Sequence, residues 1–492
     1  MSHIITRDIL NKDLTITVHS SLYDTQIYKK PELVKYINRA KTYLIKEKNC
    51  KAGQSVFIAD VEWPSYIGWF FACSELGINF IISDLPVEQR NFSYVGNRLK
   101  EIYGTIDYYI GKISLGKELL GDSFSDIDQD VLLNYTDESC ADIFYANPDT
   151  LLIRSMTSGT TGEPKLAFHT HKFFYDLMLR NSKVYDLKGQ NKCLHTKILH
   201  HGSVLGVFFL PTLYSCSRHY WINPNVAMSD NVKILSGKSI EVAFPQNTLL
   251  PKILAKVIKA HNIDKVLLFY DMIEFLYNDI NNSTKNNLTV YVLSPVQQHI
   301  VDKMVGEFNY EIVSIFGCTE SSGPLFLQTV NNKNYKNFNY KNFGKPLDDF
   351  YGLNLIQDNL LEITMPDNQK ILSGDKFQKV DDEFIFLGRN NSFKIKGQTI
   401  IMDLLIDFFE NKLGKKSGLD FHVIFDQPNE KIFLRYIEKL DFEQINHEIT
   451  NELGSNYQIH FQSLEPKTNF MSGIKFDADL FRKVCNAQLK GE

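Results

Sequence analysis

The sequence predicts an α/β protein with a large N-terminal domain of mixed and parallel sheets flanked by helices, at residues 1–388, and a small α+β C-terminal domain, at residues 389–492. Two observations lead to this prediction. Short apolar runs alternate with helix-like segments through most of the chain, which favours β-α-β units. Beyond residue 400 the pattern changes to a hairpin between two helices, which is typical of a separate small domain.

Length and composition agree with more than one domain. The chain has 492 residues, of which 43 % are hydrophobic and 13 % are aromatic. Single hydrophobic cores stop growing beyond roughly 250–300 residues, and longer chains divide. We therefore expect at least two domains with separate cores.

The first part of the chain gives the start of the alternating pattern. Residues 31–48 carry apolar side chains at helical spacing, with Pro31 where the first turn of a helix tolerates proline. A short apolar run at 55–60, a helix-like segment at 66–76 and another apolar run at 78–83 follow. This order predicts helix, strand, helix and strand.

The same alternation returns in the middle of the chain. Helices are predicted at 250–261 and 297–308, and strands at 265–269, 288–293 and 311–316. Parallel strands joined by crossover helices are the economical way to bury such apolar runs.

The C-terminal part predicts a different unit of roughly a hundred residues. Residues 402–412 and 441–453 have helical patterns, and the runs FHVIF and KIFLRYI flank a turn at 426–430 as a hairpin. We place the hinge between the two domains just after Gly388-Arg389.

Charge and cysteine content exclude several classes of protein. The net charge is -5 with a pI of about 6.2 and interspersed signs, so the chain has no basic surface typical of nucleic-acid binding. Seven widely spaced cysteines without a CxxC pair argue against a disulfide framework and a zinc site, and favour a reducing, cytoplasmic environment. We expect neither a signal peptide nor a membrane span, because the N-terminus and the most apolar segment lack the required patterns.

The strongest local signal is the segment SMTSGTTGEPK at 155–165. Glycines expose backbone N–H groups, hydroxyls donate to phosphate oxygens and a lysine supplies positive charge, so the segment suits a polyphosphate. It lacks the GxxxxGK[ST] spacing of common P-loops. A flexible linker is the alternative, but a linker would not need the Pro-Lys ending. The candidate phosphate ligands are Thr157, Ser158, Gly159, Thr160, Thr161, Gly162 and Lys165.

This segment resembles the STSGTTGxPK-type loop of the adenylate-forming superfamily, which contains acyl-CoA synthetases, peptide-synthetase adenylation domains and firefly-type luciferases. Met156 and Leu166-Ala167 depart from the usual family residues, whereas His169-Thr170-His171 again resembles the family. The resemblance extends from about residue 28 to residue 476. It implies that the loop holds the β and γ phosphates of ATP.

The run FGCTE at 316–320 is similar to the family motif Tyr-Gly-x-Thr-Glu. An aromatic ring at Phe316 can stack on adenine, Thr319 can donate to the α-phosphate and Glu320 can ligate Mg²⁺, which takes one or two carboxylates plus substrate phosphates. A helix cap is the alternative for an isolated Thr-Glu. The position of the run in the ordered motif set favours the functional interpretation.

Ser373-Gly374-Asp375 and Gly388-Arg389 resemble the family residues that contact ribose, although a lone Gly-Asp is usually a turn. The resemblance also implies a mobile C-terminal domain that alternates between two orientations. After Arg389 the sequence departs from the family pattern: one residue is missing before Lys394 and Gly397, and Asn391 stands where the hinge acid is expected. A neutral residue can still absorb a hinge rotation.

The end of the chain contains the most consequential departure. The family has a lysine after Gly473, but this sequence has Ile474 there and Lys475 next. Either a one-residue shift lets Lys475 reach the carboxylate and the α-phosphate, or the adenylation lysine is absent. We favour Lys475, because the attack brings anionic oxygens together and needs a cation.

The acid and its acceptor are less defined. His200-His201-Gly202 resembles the segment of acyl and aryl acid activators, and no aspartate stands there to pair with an amino-acid ammonium. His201 could border the carboxylate, although buried histidines are more often structural. Leu293-Ser294-Pro295 replaces the family's Gly-Gly-Ala, so the pocket shape is open. We expect an acyl or aryl acid rather than an α-amino acid.

The family transfers the acyl group to coenzyme A or to the phosphopantetheine of a carrier protein, and both acceptors stay open here. By resemblance Gly397 lies along the pantetheine path. Two alternatives remain: a regulatory module that binds ATP or an acyl-adenylate without turnover, motivated by Ile474, and a luciferase-like oxygenase, which depends on substrate rather than on motif.

Overall fold

The computed structural model describes residues 5–19, 25–58, 64–82, 106–111, 125–128, 130–157, 165–195, 204–222, 250–268, 273, 288–293, 296, 298–318, 320–339, 341–389, 392–395, 398–401, 405–406, 408–409, 421–426, 431–436, 441–452, 459, 461–463, 471–472 and 475–476. Its strands in chain order are β1 (Thr15–His19), β2 (Thr25–Lys29), β3 (Ser55–Ile58), β4 (Asn79–Ile82), β5 (Tyr108–Gly111), β6 (Ser125–Asp128), β7 (Leu151–Thr157), β8 (Lys165–Thr170), β9 (Lys192–His195), β10 (Arg218–Ile222), β11 (Lys265–Leu268), β12 (Thr289–Val292), β13 (Glu311–Phe316), β14 (Phe326–Val330), β15 (Gly352–Leu355), β16 (Leu360–Thr364), β17 (Lys370–Val380), β18 (Glu383–Arg389), β19 (Ser392–Ile395), β20 (Gln398–Ile401), β21 (Phe421–Asp426), β22 (Lys431–Tyr436), β23 (Phe461–Ser463), β24 (Met471–Ser472) and β25 (Lys475–Phe476).

Helices cover the sheets and link the strands. Two segments are π-helices, at Leu205–Phe209 and Asp302–Glu307, and each adjoins an α-helix. The α-helices are α1 (Ile5–Ile9), α2 (Lys30–Lys46), α3 (Ser65–Leu76), α4 (Val131–Asn134), α5 (His171–Val184), α6 (Leu210–Ser215), α7 (Leu250–His261), α8 (Gln298–Val301) and α9 (Phe442–Glu452).

Two large mixed sheets form the centre of the fold. One has the order β6-β5-β3-β4-β7-β8, and the other has the order β14-β13-β12-β11-β9-β10-β1-β2. Neighbouring strands are parallel except at β8, β14 and β2, which pair antiparallel at sheet edges. The α/β class predicted from the alternating pattern is confirmed.

The smaller sheets follow the two large ones. Strands β15 to β18 form an antiparallel sheet in sequence order, and β21-β22-β23 form a three-stranded sheet. The hairpin predicted around residues 426–430 is confirmed by the antiparallel pairing of β21 with β22. In sequence, the pair β19-β20 lies between these two sheets, and the pair β24-β25 follows them.

Buried residues divide into three clusters. The largest contains α3, whose 12 residues are all buried, and extends to the sheet of β15 to β18. The second covers the opposite face of the eight-stranded sheet, because Cys193 faces the first cluster while its neighbour Leu194 faces the second. The third lies between Leu405 and Ile459. Burial on both faces explains why the parallel strands are continuous apolar runs.

The predicted helix at 297–308 differs from the structure in its second half. It begins as α8 and continues as the π-helix Asp302–Glu307. Gly306 faces the ring of Tyr335, and a Cβ there would lie 3.2 Å from that ring. Such a wide turn depends on packing with a distant segment, which apolar periodicity does not report.

Candidate active site

The predicted phosphate segment is the tip of a β-hairpin. Strands β7 and β8 pair antiparallel, and Thr157 and Lys165 are the last partners before the connection. The two ends of the segment therefore stand side by side. The residues between them, 158–164, lie outside the described residues, so the placement of Ser158, Gly159, Thr160, Thr161 and Gly162 stays a prediction.

The predicted metal-binding turn follows β13, a buried strand of the eight-stranded sheet. Glu320 is half-buried two residues beyond Cys318, and Thr319 lies outside the described residues. The hydroxyl of Ser321 stabilises the turn, because its Oγ lies 2.9 Å from Cys318 O and 2.8 Å from Gly323 O. Ligands commonly bind beyond the carboxyl ends of parallel strands, which is where Glu320 stands.

Burial and the Glu320 carboxylate raise the pKa of the Cys318 thiol to about 12. The thiol therefore stays protonated at neutral pH. A protonated thiol is a poor nucleophile, so Cys318 is unsuited to form a covalent intermediate.

Three side chains hold the turn after Glu320 from different sides, and the sequence did not predict them. Tyr351 donates from its hydroxyl to Ser321 O at 2.7 Å, and Arg180 donates from Nη1 to Pro324 O at 2.9 Å. His169 Nε2 lies 2.9 Å from Ser322 Oγ. Of these three residues, only His169 was noted from the sequence, as part of a segment that resembles the family, and no contact was predicted for it.

The predicted ribose residues lie opposite each other in one antiparallel pair. Asp375 on β17 is the register partner of Arg389 on β18, and a β-bulge follows immediately. Asp375 is 4 % exposed, and its backbone N–H donates to Ser373 Oγ at 3.0 Å. Gly374 has φ +76°, in the left-handed region that glycine adopts without strain. Bulges of this kind redirect side chains beside active sites.

Phe316 connects the predicted metal-binding turn to β17 and β18, the strands that carry the predicted ribose residues Asp375 and Arg389; these two are called the ribose strands below. Its ring centroid lies 5.2 Å from that of Phe377 on β17 and 6.0 Å from that of Phe386 on β18. Phe343 is closer still, at 5.0 Å. Phe316 is 9 % exposed within this aromatic cluster. The ring thus fixes β13 against β17 and β18, and its predicted stacking on adenine stays a prediction.

Other predicted residues lie on short strands near the C-terminus. Lys394 on β19 pairs with Thr399, and Lys475 on β25 pairs with Ser472 across a two-residue connection. Their side chains are outside the described part of the structure, as are Gly397 and the turn residues 473–474. The roles of Lys394, Gly397 and Lys475 stay predictions.

The predicted acid-binding segment begins after β9. His201 is outside the described residues, but the following segment, Val204 to Leu213, is buried and carries the π-helix Leu205–Phe209. Gly206 in this segment lies against the metal-binding turn, because a Cβ there would be 2.1 Å from Ser322 O. The apolar segment therefore contacts the turn that carries Glu320.

These contacts make a chemically coherent site. A half-buried carboxylate at Glu320 suits a hard cation such as Mg²⁺, and the buried carboxylate of Asp375 can accept hydrogen bonds from sugar hydroxyls. The hairpin with Lys165 is tied to the metal-binding turn through His169 and Ser322. Carboxylates suited to a metal and to sugar are thus linked by described contacts to the strands that flank the predicted phosphate segment.

A family model matches the middle of the chain. The family model of the AMP-binding enzymes matches residues 117–364, a little more than half of the chain, and includes the hairpin and the metal-binding turn. The chain belongs to the AMP-binding enzyme family, within the adenylate-forming superfamily.

Curated relatives match only in part. Atromentin synthetase from Tapinella panuoides is 30 % identical over 111 residues, which are 22 % of this chain and 12 % of the relative. The protein described as inactive atromentin synthetase from Paxillus involutus is 31 % identical over 110 residues, with the same shares. The matched part of this chain is thus a small fraction of those proteins.

Solved structures match over nearly the whole chain. A structure described in studies of fatty acyl-adenylate ligases from E. coli and L. pneumophila gives a TM-score of 0.74 at 15 % identity. The match covers 99 % of this chain and 98 % of that one. The o-succinylbenzoate coenzyme A synthetase from Bacillus subtilis, in complex with ATP and magnesium, gives 0.72 at 14 % identity and covers 98 % and 99 %. The McyG A-PCP structure with phenylalanyl-adenylate gives 0.72 at 14 % identity and covers 99 % and 95 %. At these identities the likeness establishes the fold.

In the described part of the chain, no helix has both the length and the apolar character needed to cross a bilayer.

Proposed function

We propose that this protein uses ATP and Mg²⁺ to activate a carboxylic acid as its acyl-adenylate, and then transfers the acyl group to a thiol. The thiol belongs to coenzyme A or to the phosphopantetheine arm of a carrier protein. The protein is thereby an AMP-forming acid–thiol ligase, similar to acyl-CoA synthetases.

One observation carries the proposal. The hairpin, the metal-binding turn and the ribose strands occupy distant parts of the sequence, yet described contacts join them through His169–Ser322 and Phe316–Phe377. Asp375 and Arg389 face each other on adjacent strands at the end of this network. Such convergence supports a single nucleotide site rather than three unrelated elements.

The residues take the following roles in the proposal. The triphosphate binds to the hairpin, from Thr157 to Lys165. Glu320 would hold Mg²⁺, which would supply positive charge against the repulsion between the phosphate oxygens and the incoming carboxylate. Asp375 and Arg389 hold the ribose, and Phe316 borders the adenine.

In the first step, a carboxylate oxygen of the acid attacks the α-phosphorus, and the bond from that phosphorus to the β-phosphate oxygen breaks. Pyrophosphate leaves, and the acid is joined to AMP as a mixed anhydride. Thr319 and Lys475 stabilise the negative charge that gathers at the α-phosphate. In the second step a thiolate attacks the acyl carbon and AMP leaves, so the work of the protein is to position the thiol.

The proposed acid is an acyl or aryl acid without an α-ammonium group. His201 borders its carboxylate, and the buried apolar segment from Val204 to Leu213 lines its body. Structural relatives are described as fatty acyl-adenylate ligases, as an o-succinylbenzoate coenzyme A synthetase and as an adenylation domain bound to keto acyl adenylate. These classes define the acids to test.

The C-terminal domain from residue 389 is proposed to move between the two steps. Strand β18 ends at Arg389, and the next strand, β19, belongs to another sheet. A rotation at Asn390 and Asn391 would bring Lys475 to the first step and Lys394 with Gly397 to the thiol path. A carrier protein is a natural partner, since one structural relative joins adenylation and carrier domains.

Exchange of labelled pyrophosphate into ATP tests the first step. The panel contains a fatty acid, an aryl acid, a 2-keto acid and phenylalanine. We expect acid-dependent exchange with one of the first three and none with phenylalanine. Lys475→Ala is expected to lower the exchange rate by about 10²–10³-fold, the usual cost of losing one preorganised charge-stabilising group.

The matched control is Ile474→Ala, which changes the neighbouring residue and keeps the lysine. Exchange unaffected by Lys475→Ala would remove that lysine from the mechanism. Exchange that is strongest with phenylalanine would contradict the proposed acid class. Adding coenzyme A or a carrier protein with its phosphopantetheine then identifies the acceptor by thioester formation.

A second candidate is a regulatory module that binds ATP or an acyl-adenylate without turnover. Ile474 at the family's lysine position favours it. Binding of ATP without exchange for any acid on the panel would support this candidate over the ligase.

A further inference from the structure

We infer that His169 and Ser322 are positioning residues, which hold the metal-binding turn in register with the phosphate hairpin. The inference rests on the proposed function and adds to it two residues that have no role in binding or chemistry there. They act through Lys165 on one side and Glu320 on the other.

His169 is fixed on the return strand of the hairpin. It lies four residues after Lys165 on β8, so the histidine and the start of the strand belong to one rigid element. The ring of His169 stacks on Phe173 at 4.7 Å between centroids and meets Phe174 edge to face at 5.5 Å. At 4 % exposure the imidazole is buried, and these rings and Ser322 help to fix its orientation.

Ser322 stands two residues after Glu320 in a demanding conformation. Its φ of +47° lies in the left-handed region, which is unfavourable for residues other than glycine, asparagine and aspartate. Such a conformation persists only where the surroundings determine it, and it is frequent at functional sites. Ser322 is fully buried, and its Oγ lies 2.9 Å from His169 Nε2.

The opposite side of the turn packs against the π-helix Leu205–Phe209. A Cβ at Gly206 would lie 2.1 Å from Ser322 O, so the two backbones touch without space for a side chain. Asn181 donates from Nδ2 to Gly206 O at 2.9 Å and fixes the helix in turn. Backbone packing at Gly206 and the hydrogen bonds from Tyr351 and Arg180 hold the turn in the large domain, and the His169 hydrogen bond joins it to strand β8 of the hairpin.

Removing that hydrogen bond breaks a direct link between the turn and the hairpin, so the distance between the two is less closely fixed. The proposed chemistry needs the triphosphate and Mg²⁺ in one geometry, and the hairpin and the turn supply their separate ligands. A displacement of about 1 Å away from the reacting groups can cost about 10²-fold in rate. The loss should appear in the rate and in the Mg²⁺ requirement, while acid binding changes little.

Two pairs of variants separate hydrogen bonding from packing. His169→Phe keeps a flat ring against Phe173 and removes the ring nitrogens, whereas His169→Gln keeps a side-chain amide that can bond Ser322. Ser322→Ala removes the hydroxyl, and Ser322→Gly removes it while relieving the left-handed conformation. Phe168→Gln is the matched control, because Phe168 is 55 % exposed on the opposite face of the same strand.

Acid-dependent pyrophosphate exchange is measured at varied Mg²⁺, together with the unfolding midpoint. His169→Phe, Ser322→Ala and Ser322→Gly should each lower kcat about 10- to 100-fold and raise the Mg²⁺ concentration at half-maximal rate several-fold, with the KM of the acid within about twofold. His169→Gln should recover part of the loss, and Phe168→Gln should match the wild type. The kcat of the double variant of His169→Phe and Ser322→Ala should be no lower than that of the less active single variant, since the two residues act as one unit.

Wild-type kcat and Mg²⁺ requirement in the single variants would overturn the inference. So would a lowered unfolding midpoint with an unchanged Mg²⁺ requirement, because that is a purely structural effect. If the wild type shows no exchange with any acid, the proposed function fails instead. Calorimetric binding of ATP with and without Mg²⁺ then tests the positioning role without turnover, and equal Mg²⁺ dependence in wild type and His169→Phe would reject it.

Discussion

At the residue scale, Asp375 shows how a sequence motif acquires a chemical environment. The Ser-Gly-Asp motif alone describes a turn, but the structure buries this carboxylate at a β-bulge opposite Arg389. A buried carboxylate is costly unless hydrogen-bond donors surround it, and two ribose hydroxyls are suitable donors.

Asp375→Asn should raise the KM for ATP by about 10- to 100-fold, since hydrogen bonds to charged groups contribute about 1.5–3 kcal/mol. The measurement is pyrophosphate exchange at varied ATP. Asp382→Asn is the control, because Asp382 belongs to the same β17–β18 hairpin but forms only an exposed ion pair with Lys345. Equal ATP dependence in both variants would remove Asp375 from the nucleotide site.

Buried histidines give a prediction about acid stability. His219 Nε2 lies 2.9 Å from Cys216 O, which can only accept, so that nitrogen carries the proton. His219 Nδ1 is then the acceptor for His195 Nε2 at 3.1 Å. This assignment holds for neutral rings, and burial favours them because it lowers the pKa of His195 well below its usual value and that of His219 to about 3.

Burial also lowers the pKa of His171 to about 4. In the unfolded chain these rings titrate near pH 6.5, so below that pH the unfolded state binds more protons and stability falls as pH falls. Above pH 7 the effect is absent. At pH 5 each such histidine should lower the free energy of unfolding by about 2 kcal/mol relative to pH 8. Urea unfolding at pH 8, 6 and 5 measures this decrease.

His171→Gln removes one of these titrating groups. Its stability at pH 8 should be similar to or below that of the wild type, but its loss between pH 8 and pH 5 should be smaller. A wild-type free energy of unfolding that is flat from pH 8 to pH 5 would contradict the neutral assignment.

At the element scale, the contact between the π-helix and the metal-binding turn is the feature most sensitive to size. Gly206→Ala would place a methyl group 2.1 Å from Ser322 O and 2.8 Å from Leu177. Either the π-helix or the turn must move, which typically lowers the free energy of unfolding by about 1–3 kcal/mol. We expect a lower urea midpoint and slower exchange.

Gly189→Ala is the matched control for this substitution. The nearest atom to its added Cβ is 3.9 Å away, and the position is exposed. Its urea midpoint should equal that of the wild type. Equal midpoints for Gly206→Ala and Gly189→Ala would show that the turn and the π-helix separate without cost.

The elements also show what sequence can predict. Helix α7 and strand β13 begin and end where their apolar patterns do, because periodicity reports the face that packs against the core. The segment at 155–165 could be singled out because its residue types suit phosphate binding, and that role stays a prediction. These features are local, so a single stretch of sequence contains them.

Features that depend on distant partners were not predicted. The π-helix at Leu205–Phe209 and the left-handed Ser322 arise from contact between two segments more than a hundred residues apart. The His169–Ser322 bond spans 153 positions. No periodicity encodes such pairs, and the placement of Lys475 relative to the site stays a prediction for the same reason.

At the scale of the whole molecule, the buried clusters suggest two units of folding. The third cluster contains only residues from Leu405 to Ile459, whereas the first two cover the large sheets. Calorimetry should therefore show more than one unfolding transition, because separate cores need not melt together.

Mg²⁺ and ATP should raise the midpoint of the transition that belongs to the large sheets. Ligand at about 100 times its Kd adds about 2.7 kcal/mol to the stability of the state that binds it. Asp382→Asn should respond as the wild type does, and Asp375→Asn should respond less. A single transition for the full chain would contradict the predicted boundary at residue 389.

The central claim is that one site assembles phosphate, metal and ribose ligands from distant segments of this chain. A crystal structure with Mg²⁺ and a non-hydrolysable ATP analogue tests it most directly. We predict the triphosphate at the hairpin between Thr157 and Lys165, the metal on Glu320 and the ribose hydroxyls on Asp375. A nucleotide bound elsewhere, or bound with Glu320 and Asp375 both remote from it, would contradict the account.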